Sequence, residues 1–353
     1  MRMFIICTMI VLSLLTGVVS ADTARYGNWT EITDNASILR YLPGITVFGD
    51  TLWVIGGRGE FYQNDVWSSP DGKTWELVTD NASFSPRVSP KVVSYNNSLW
   101  VIGGGDSNTN WNDVWSSPDG KTWNLVTDNA TFSPRFGGAV GVFKNRLWLI
   151  GGNNNDVWSS ADGKNWELVT NNANFSPRYG HSVVTFNDRL WVIGGNWNND
   201  TWSSPDGKTW TLINGSAPFR KMEYTPAIAF DDKLWIVGGG SFPSTHQTKY
   251  PPATDFNEVW SSSDGNLWTL ETEHAGFSPR FLHGLVVFHD GIWVIGGSGG
   301  NGQDVWEMPL LQNSSSDETN ASPTQARSTP VPIALAFLAI GITFVVLGLF
   351  RKT

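Results

Sequence analysis

The chain has one cysteine, Cys7, among 353 residues. That cysteine falls in a leader-like segment, so the mature protein is expected to have neither a disulfide nor thiol chemistry. Charge is also scarce. Only 16% of residues are Asp, Glu, Lys or Arg, and the net balance of −9 leaves no basic patch. Phosphate-driven nucleic-acid binding therefore has little electrostatic support. No long amphipathic helical pattern occurs, and uninterrupted apolar runs are confined to the two ends. What the chain has instead is 20 Trp and 37 Gly, the make-up of many short strands joined by tight turns.

The ends read separately from the middle. Residues 1–21 carry a basic Arg2, an apolar run and small residues at Val19, Ser20 and Ala21, which is a secretory signal pattern. Residues 331–350 contain no charge and are followed by Arg351 and Lys352. That is the length of a membrane span with a positive inner flank. The same tail also suits a sorting signal exchanged for a lipid. Residues 312–330 are rich in Ser, Thr, Pro and Asn and read as a stalk. The expectation is an extracellular domain at 22–311 on a single-pass or lipid anchor, with 351–353 as a basic tail. Sequons at Asn28, Asn35, Asn81, Asn96, Asn129, Asn174, Asn199, Asn214, Asn313 and Asn320 suit an exported glycoprotein.

The middle is a repeat. The stretch DVWSSPDGKTWELVTDNASFSPR at 65–87 recurs at 113–135 with two changes. Six glycine pairs, beginning at Gly56, Gly103, Gly151, Gly194, Gly238 and Gly296, each end an apolar run containing a Trp. A second Trp recurs at 67, 115, 158, 202, 260 and 306, and a third at 75, 123, 166, 210 and 268. The third Trp is missing from the sixth unit, and Trp29, in a segment that reads like 74–83, supplies it. Each unit reads as four strands, a to d from the inside outward. The expected fold is an all-β ring of six four-stranded antiparallel blades, closed by an N-terminal strand in the last blade.

The paired glycines and spaced aromatics, at intervals of 43 to 58 residues, resemble the kelch repeat, although Trp stands where that repeat usually has Tyr. The resemblance implies a six-bladed β-propeller. Ser69-Pro70-Asp71-Gly72-Lys73-Thr74-Trp75 resembles the Asp-box of sialidases and other propellers, with one position omitted. Its Asp recurs as Asp119, Asp162, Asp206 and Asp264, so a catalytic role would imply five equivalent sites. A turn-building role is the simpler reading.

In an antiparallel blade the c-to-d turn lies on the opposite face from the b-to-c and d-to-a connections. The near-verbatim text thus marks a scaffold face, and function is expected on the other, where the units differ. There the b-to-c loops hold Trp111 and Trp197, outside the repeat pattern, with Phe61, Tyr62, Phe242 and Tyr250. These aromatics read either as platforms for a glycan or protein ligand or as packing beneath their own loops. An Arg precedes strand a in every unit: Arg40, Arg87, Arg135, Arg178, Arg220 and Arg280. Five stand sixteen residues before the glycine pair, and Arg220 stands eighteen before it. Such a ring either grips carboxylates and sulfates or bonds loop carbonyls and neighbouring carboxylates.

Three residues after the Arg come Pro43, Pro90, Gly138, His181 and His283, with Thr225 in the fifth unit. His181, His283 and the nearby Glu223 form a candidate metal or acid/base cluster. The stretch DSNTN at 106–110 is a partial match to a calcium loop. The favoured function is a non-catalytic surface binding domain with no cofactor. The alternatives are a glycoside hydrolase resembling sialidases, for which Tyr224 beside Glu223 is the nearest nucleophile pair, and a passive surface-layer component. Galactose oxidase chemistry, which needs a Tyr–Cys crosslink, is excluded for a mature chain without Cys.

Overall fold

A computed structural model describes residues 25–311 apart from 39, 243–254 and 301. The expected leader, stalk and membrane segment, and Tyr250, lie outside the described residues. Among the described residues, no helix is long and apolar enough to cross a membrane.

Twenty-four strands form six antiparallel sheets of four. The N-terminal strand is β1 (Thr30–Thr33). Blade 1 is β2 (Gly44–Val47), β3 (Leu52–Arg58), β4 (Tyr62–Ser69) and β5 (Glu76–Thr79). Blade 2 is β6 (Lys91–Tyr95), β7 (Ser98–Gly105), β8 (Asn110–Ser117) and β9 (Asn124–Thr127). Blade 3 is β10 (Ala139–Phe143), β11 (Arg146–Ile150), β12 (Val157–Ser160) and β13 (Glu167–Thr170). Blade 4 is β14 (Ser182–Phe186), β15 (Arg189–Gly195), β16 (Asn198–Ser204) and β17 (Thr211–Asn214). Blade 5 is β18 (Ala227–Phe230), β19 (Lys233–Gly240), β20 (Asp255–Ser262) and β21 (Thr269–Thr272). Blade 6 is β22 (Gly284–Phe288), β23 (Gly291–Ile295) and β24 (Val305–Pro309), completed by β1 in the order β1-β24-β23-β22. The whole is a six-bladed β-propeller, as the repeat arithmetic requires.

Strands a and b of each blade meet at a two-residue turn whose central residues both have positive φ. Asn96 and Asn97, Asn187 and Asp188, and Asp231 and Asp232 are examples. This is the mirror-image turn whose twist matches a hairpin, and Asn and Asp tolerate it best.

The c-to-d turn is built five times in the same way. The Ser69 hydroxyl accepts from the Gly72 N–H at 2.8 Å, and Asp71 accepts from the N–H groups of Lys73 and Thr74 at 2.9 and 2.7 Å. The Trp75 indole donates to the Gly72 carbonyl at 2.9 Å. The third Trp of the repeat thus stands just before strand d, tying the turn together.

Neighbouring blades interlock through these turns. A Cβ on Gly120, at φ +71°, would lie 2.1 Å from Cζ3 of Trp53 in the preceding blade. The same close approach joins Gly72 to Trp293, Gly163 to Trp100, Gly207 to Trp148 and Gly265 to Trp191. Only glycine admits both the backbone conformation and the indole. The Phe of five d-to-a segments adds a second link, standing edge-on to the next blade's third Trp, while Ile38 takes that place beside Trp75 of blade 1. The Phe132–Trp166 and Phe175–Trp210 ring centroids are 5.1 Å apart.

The closure reproduces the second link and replaces the first. Trp29 stands edge-on to Phe277 at 4.9 Å, so it is the eighteenth member of the pattern. Blade 6 has no Ser-x-Asp-Gly turn to receive Trp235, and Tyr26 packs edge-on against that indole at 4.8 Å instead. The Tyr26 hydroxyl donates to Asp231 at 2.8 Å, and Arg25 pairs with the same carboxylate. Trp235 is fully buried.

Candidate functional site

The Arg positions are part of the scaffold. Arg178 has no exposed surface, and all five of its guanidinium donors are used. They go to the Ser176 carbonyl and hydroxyl, the Gly194 carbonyl, and both oxygens of Asp200 at 2.7 and 2.9 Å. Arg87–Asp113, Arg135–Asp156 and Arg280–Asp304 repeat the bidentate pair. Each of these Asp also accepts from the second Trp, as Asp200 does from Trp202 at 2.7 Å. Arg40 is buried too and meets Asp65 at 2.5 Å through a single nitrogen. Five of the six guanidinium groups are therefore committed to their own blades, and the anion-gripping ring is corrected on that ground.

Arg220 is not the sixth member. Met222, 3% exposed, takes the buried position, bridging Asn198 as Arg178 bridges Asn154 and Arg280 bridges Phe256. Arg220 sits outward, 57% exposed at its side chain, on Glu258. Glu258 itself stays inside, 14% exposed at its side chain, and accepts from the Trp260 indole at 3.1 Å.

The aromatics of the b-to-c face divide. Trp111 lies within β8 and covers the Arg87 guanidinium, 4.5 Å from its carbon. It is half-buried and packs against its own blade. Trp197 occupies a turn at φ +64° with its N–H on the Met222 carbonyl at 2.8 Å. Neither stands free of the scaffold. Phe61 is 67% exposed beside half-buried Tyr62, which lies under Arg58, and Tyr41 on the adjoining segment is 40% exposed. Phe242, 45% exposed, packs on Phe281 and Tyr224 at 4.9 and 5.9 Å.

His181 and His283 both line the mouth of the central channel, but Glu223 does not join them. It accepts from the Tyr179 hydroxyl at 2.9 Å and the Phe242 N–H at 3.1 Å. Among the described residues no three His, Cys, Asp or Glu are grouped to hold a metal. The two imidazoles act as wedges. A Cβ on Gly151 would lie 2.7 Å from Cε1 of His181, and one on Gly238 would lie 3.2 Å from Cε1 of His283. Each ring thus packs on the glycine pair of the preceding blade. His283 Nε2 lies 3.1 Å from the Val237 carbonyl, whereas among the described residues no well-formed hydrogen bond reaches either nitrogen of His181.

Burial, with the Arg178 and Lys91 charges nearby, pushes His181 down to about 3. The Ile150 carbonyl opposes this weakly. An unfolded His takes up its proton near pH 6.5, while the folded ring takes it up only near 3, so stability falls as pH drops through that window. Replacing His181 with Gln should shrink the loss between pH 7 and 4.5 by about 2 kcal/mol. Urea midpoints of both proteins at the two pH values check this, and equal losses would count against it.

The DSNTN stretch is a hairpin turn. Asp106 accepts from the N–H groups of Asn108 and Thr109, both at 2.7 Å, so that carboxylate builds the turn. Of the sequons, Asn28, Asn35, Asn81, Asn96, Asn129 and Asn174 are exposed. Asn199 is a correction: its amide nitrogen donates to the Ala217 carbonyl at 2.6 Å and to the Phe219 carbonyl at 3.3 Å. The Asn214 amide donates to the Asn266 carbonyl at 2.8 Å. Asn313 and Asn320 lie outside the described residues.

One residue escaped the sequence reading. Lys91 begins β6 on the inner wall, where the matching positions are Gly44, Ala139, Ser182, Pro226 and Gly284. Aligning the six inner strands shows it as the one charge in that ring.

Interlocked blades with unequal loops on one face define the class: a six-bladed propeller carrying its variation at one end of a central channel. The chain belongs to the DUF6242 beta propeller domain family, which matches residues 50–161 and 160–282. The solved structure of YjhT is similar, with a TM-score of 0.62 and 15% identity over 78% of this chain and 95% of that one. That likeness shows the fold alone. No curated protein matches the chain.

Proposed function

We propose that the chain is a non-catalytic, kelch-type propeller with Asp-box-like turns, displayed at the cell surface, that binds an extracellular glycan or protein segment on its b-to-c and d-to-a face. The observation that carries this reading is where the exposed rings lie. Among the described residues, the exposed Tyr and Phe side chains are Tyr41, Phe61 and Phe242, and all three are on that face. The opposite face repeats one turn whose hydrogen bonds are internal. Rings left in water beside polar loops suit stacking on sugars or side chains. Display rests on the leader-like and span-like ends, with a single-pass or lipid anchor.

The hydrolase alternative needs several Arg free to grip a substrate carboxylate, and five of the six are already paired within their blades. Burial and the Glu223 charge also raise the Tyr224 hydroxyl far above its ordinary value, which disfavours a phenolate nucleophile.

A glycan and surface-polymer panel probed with the full chain tests the proposal. The Tyr41→Ala/Phe61→Ala variant should weaken any hit by about 1 kcal/mol per ring and leave the melting temperature unchanged. Lys73→Ala/Lys121→Ala, on the turn face, should change neither. Loss of binding in the lysine variant alone would place the site on the wrong face. Self-association with no hit would favour the surface-layer reading.

A further inference from the structure

The central channel opens on the variable face into a cavity of roughly 240 Å³ lined by residues from all six blades. Its wall is mostly apolar or neutral: Leu42, Pro43, Pro90, Leu282 and Leu285, with Tyr224 at the edge of the aromatic cluster. Among the described residues, Lys91 is its one cation and no carboxylate lines it. Among the described residues no Asp or Glu comes within ion-pair distance of Lys91. Its ammonium donates only to the Ser89 hydroxyl, at 2.6 Å.

The blade does not need this lysine, since the other five inner strands place small or neutral residues at the same register. Ser89, its partner, is held at φ +52° in a loop position where blades 3 and 4 have Gly137 and Gly180 and blades 1 and 6 have Leu42 and Leu282, so that conformation belongs to the scaffold. A half-buried cation without a counterion among the described residues is unfavourable to the fold in a chain of net charge −9. Such expense marks a site that is completed by an anion.

We infer that the channel mouth is a binding site for a small organic carboxylate, its carboxylate paired with Lys91 and its carbon body against the Leu and Tyr224 wall. The site goes beyond the loop-face reading and stands or falls separately from it. The titratable groups facing Lys91 are His181, His283 and Tyr224 in the cavity and Arg135 behind it, and none is an acid. Burial lowers the Lys91 ammonium to about 8. A bound carboxylate stabilises its charged form, so binding above that pH takes up a proton.

The test titrates the full chain with glucuronate and benzoate by ligand-detected NMR and calorimetry. Glucose and benzamide serve as neutral counterparts and inorganic phosphate as a different anion. At least one carboxylate should bind, with its neutral counterpart and phosphate at least about tenfold weaker. Lys91→Met should weaken that binding at least about tenfold without lowering the melting temperature. At pH 9 the binding heat should depend on the buffer's ionisation enthalpy. The inference is overturned if neither carboxylate binds, if a neutral counterpart or phosphate binds as well, or if Lys91→Met leaves the affinity intact. Variants at Tyr41 and Phe61 should not affect this binding, which separates its failure from failure of the loop reading.

Discussion

Replacing Arg178 with Met should destabilise the propeller by about 3 to 5 kcal/mol. The variant removes a guanidinium with no exposed surface and leaves Asp200 unpaired at a side chain only 15% exposed, with the Trp202 indole as its remaining strong donor. Breaking a buried pair from one side costs far more than the pair itself contributes, because the remaining charge cannot be solvated. The double variant Arg178→Met/Asp200→Leu should therefore recover most of the loss. Blade 5 supports that expectation, since Met222 already fills the position where the other blades place Arg. Chemical denaturation of the two variants checks the prediction. A single variant within about 1 kcal/mol of the parent would show that the buried network is not what holds the loop to its blade.

Deleting residues 28–33 should be at least as damaging, because it opens the ring. The deletion removes the β1–β24 ladder, in which Thr30 pairs with Glu307, Glu31 with Trp306 and Thr33 with Val305. It also removes the Trp29–Phe277 contact and leaves the β24 edge unpaired. Loss of a packed Trp alone costs about 3 to 5 kcal/mol, and the unpaired ladder adds to it. Because native domains are stable by only about 5 to 15 kcal/mol, the deleted protein should be largely unfolded or sensitive to protease at room temperature. A melting temperature equal to that of the parent would refute the closure. Trp29→Ala should give a smaller loss in the same direction.

The fold was legible in the sequence because a propeller writes its contacts at fixed intervals. Each Trp and each glycine pair recurs, so counting them located both the blades and the closing strand. The meaning of those residues was less legible. That the turn glycine exists to receive the preceding blade's indole requires the distance from Gly120 to Trp53, which lie far apart in the chain. The same holds for Tyr26, which takes over at Trp235 because the sixth blade lacks the turn.

The site was read least well, for a physical reason. Repetition alone does not separate a ring of ligands from a ring of struts, and Arg87, Arg135, Arg178 and Arg280 proved to be struts once their carboxylates were seen. Met222 stands sixteen residues before the fifth glycine pair, whereas the expected Arg ring ran through Arg220, eighteen before it. Trp111 looked free for lack of a repeat partner, whereas it stacks on Arg87. Lys91 lies on an inner strand and stands out only when the six inner strands are aligned on their glycine pairs.

The central claim is that ligands meet the variable face and the channel mouth, while the repeated turns serve the scaffold. Hydrogen exchange of the full chain, with and without a hit from the glycan and polymer panel, tests it most directly. A panel hit should protect Tyr41 and residues 58–64, a bound carboxylate should protect the start of β6 at Lys91, and with either ligand the turns at 69–75 and 117–123 should not change. Protection confined to those turns, with the variable face unaltered, would contradict the account.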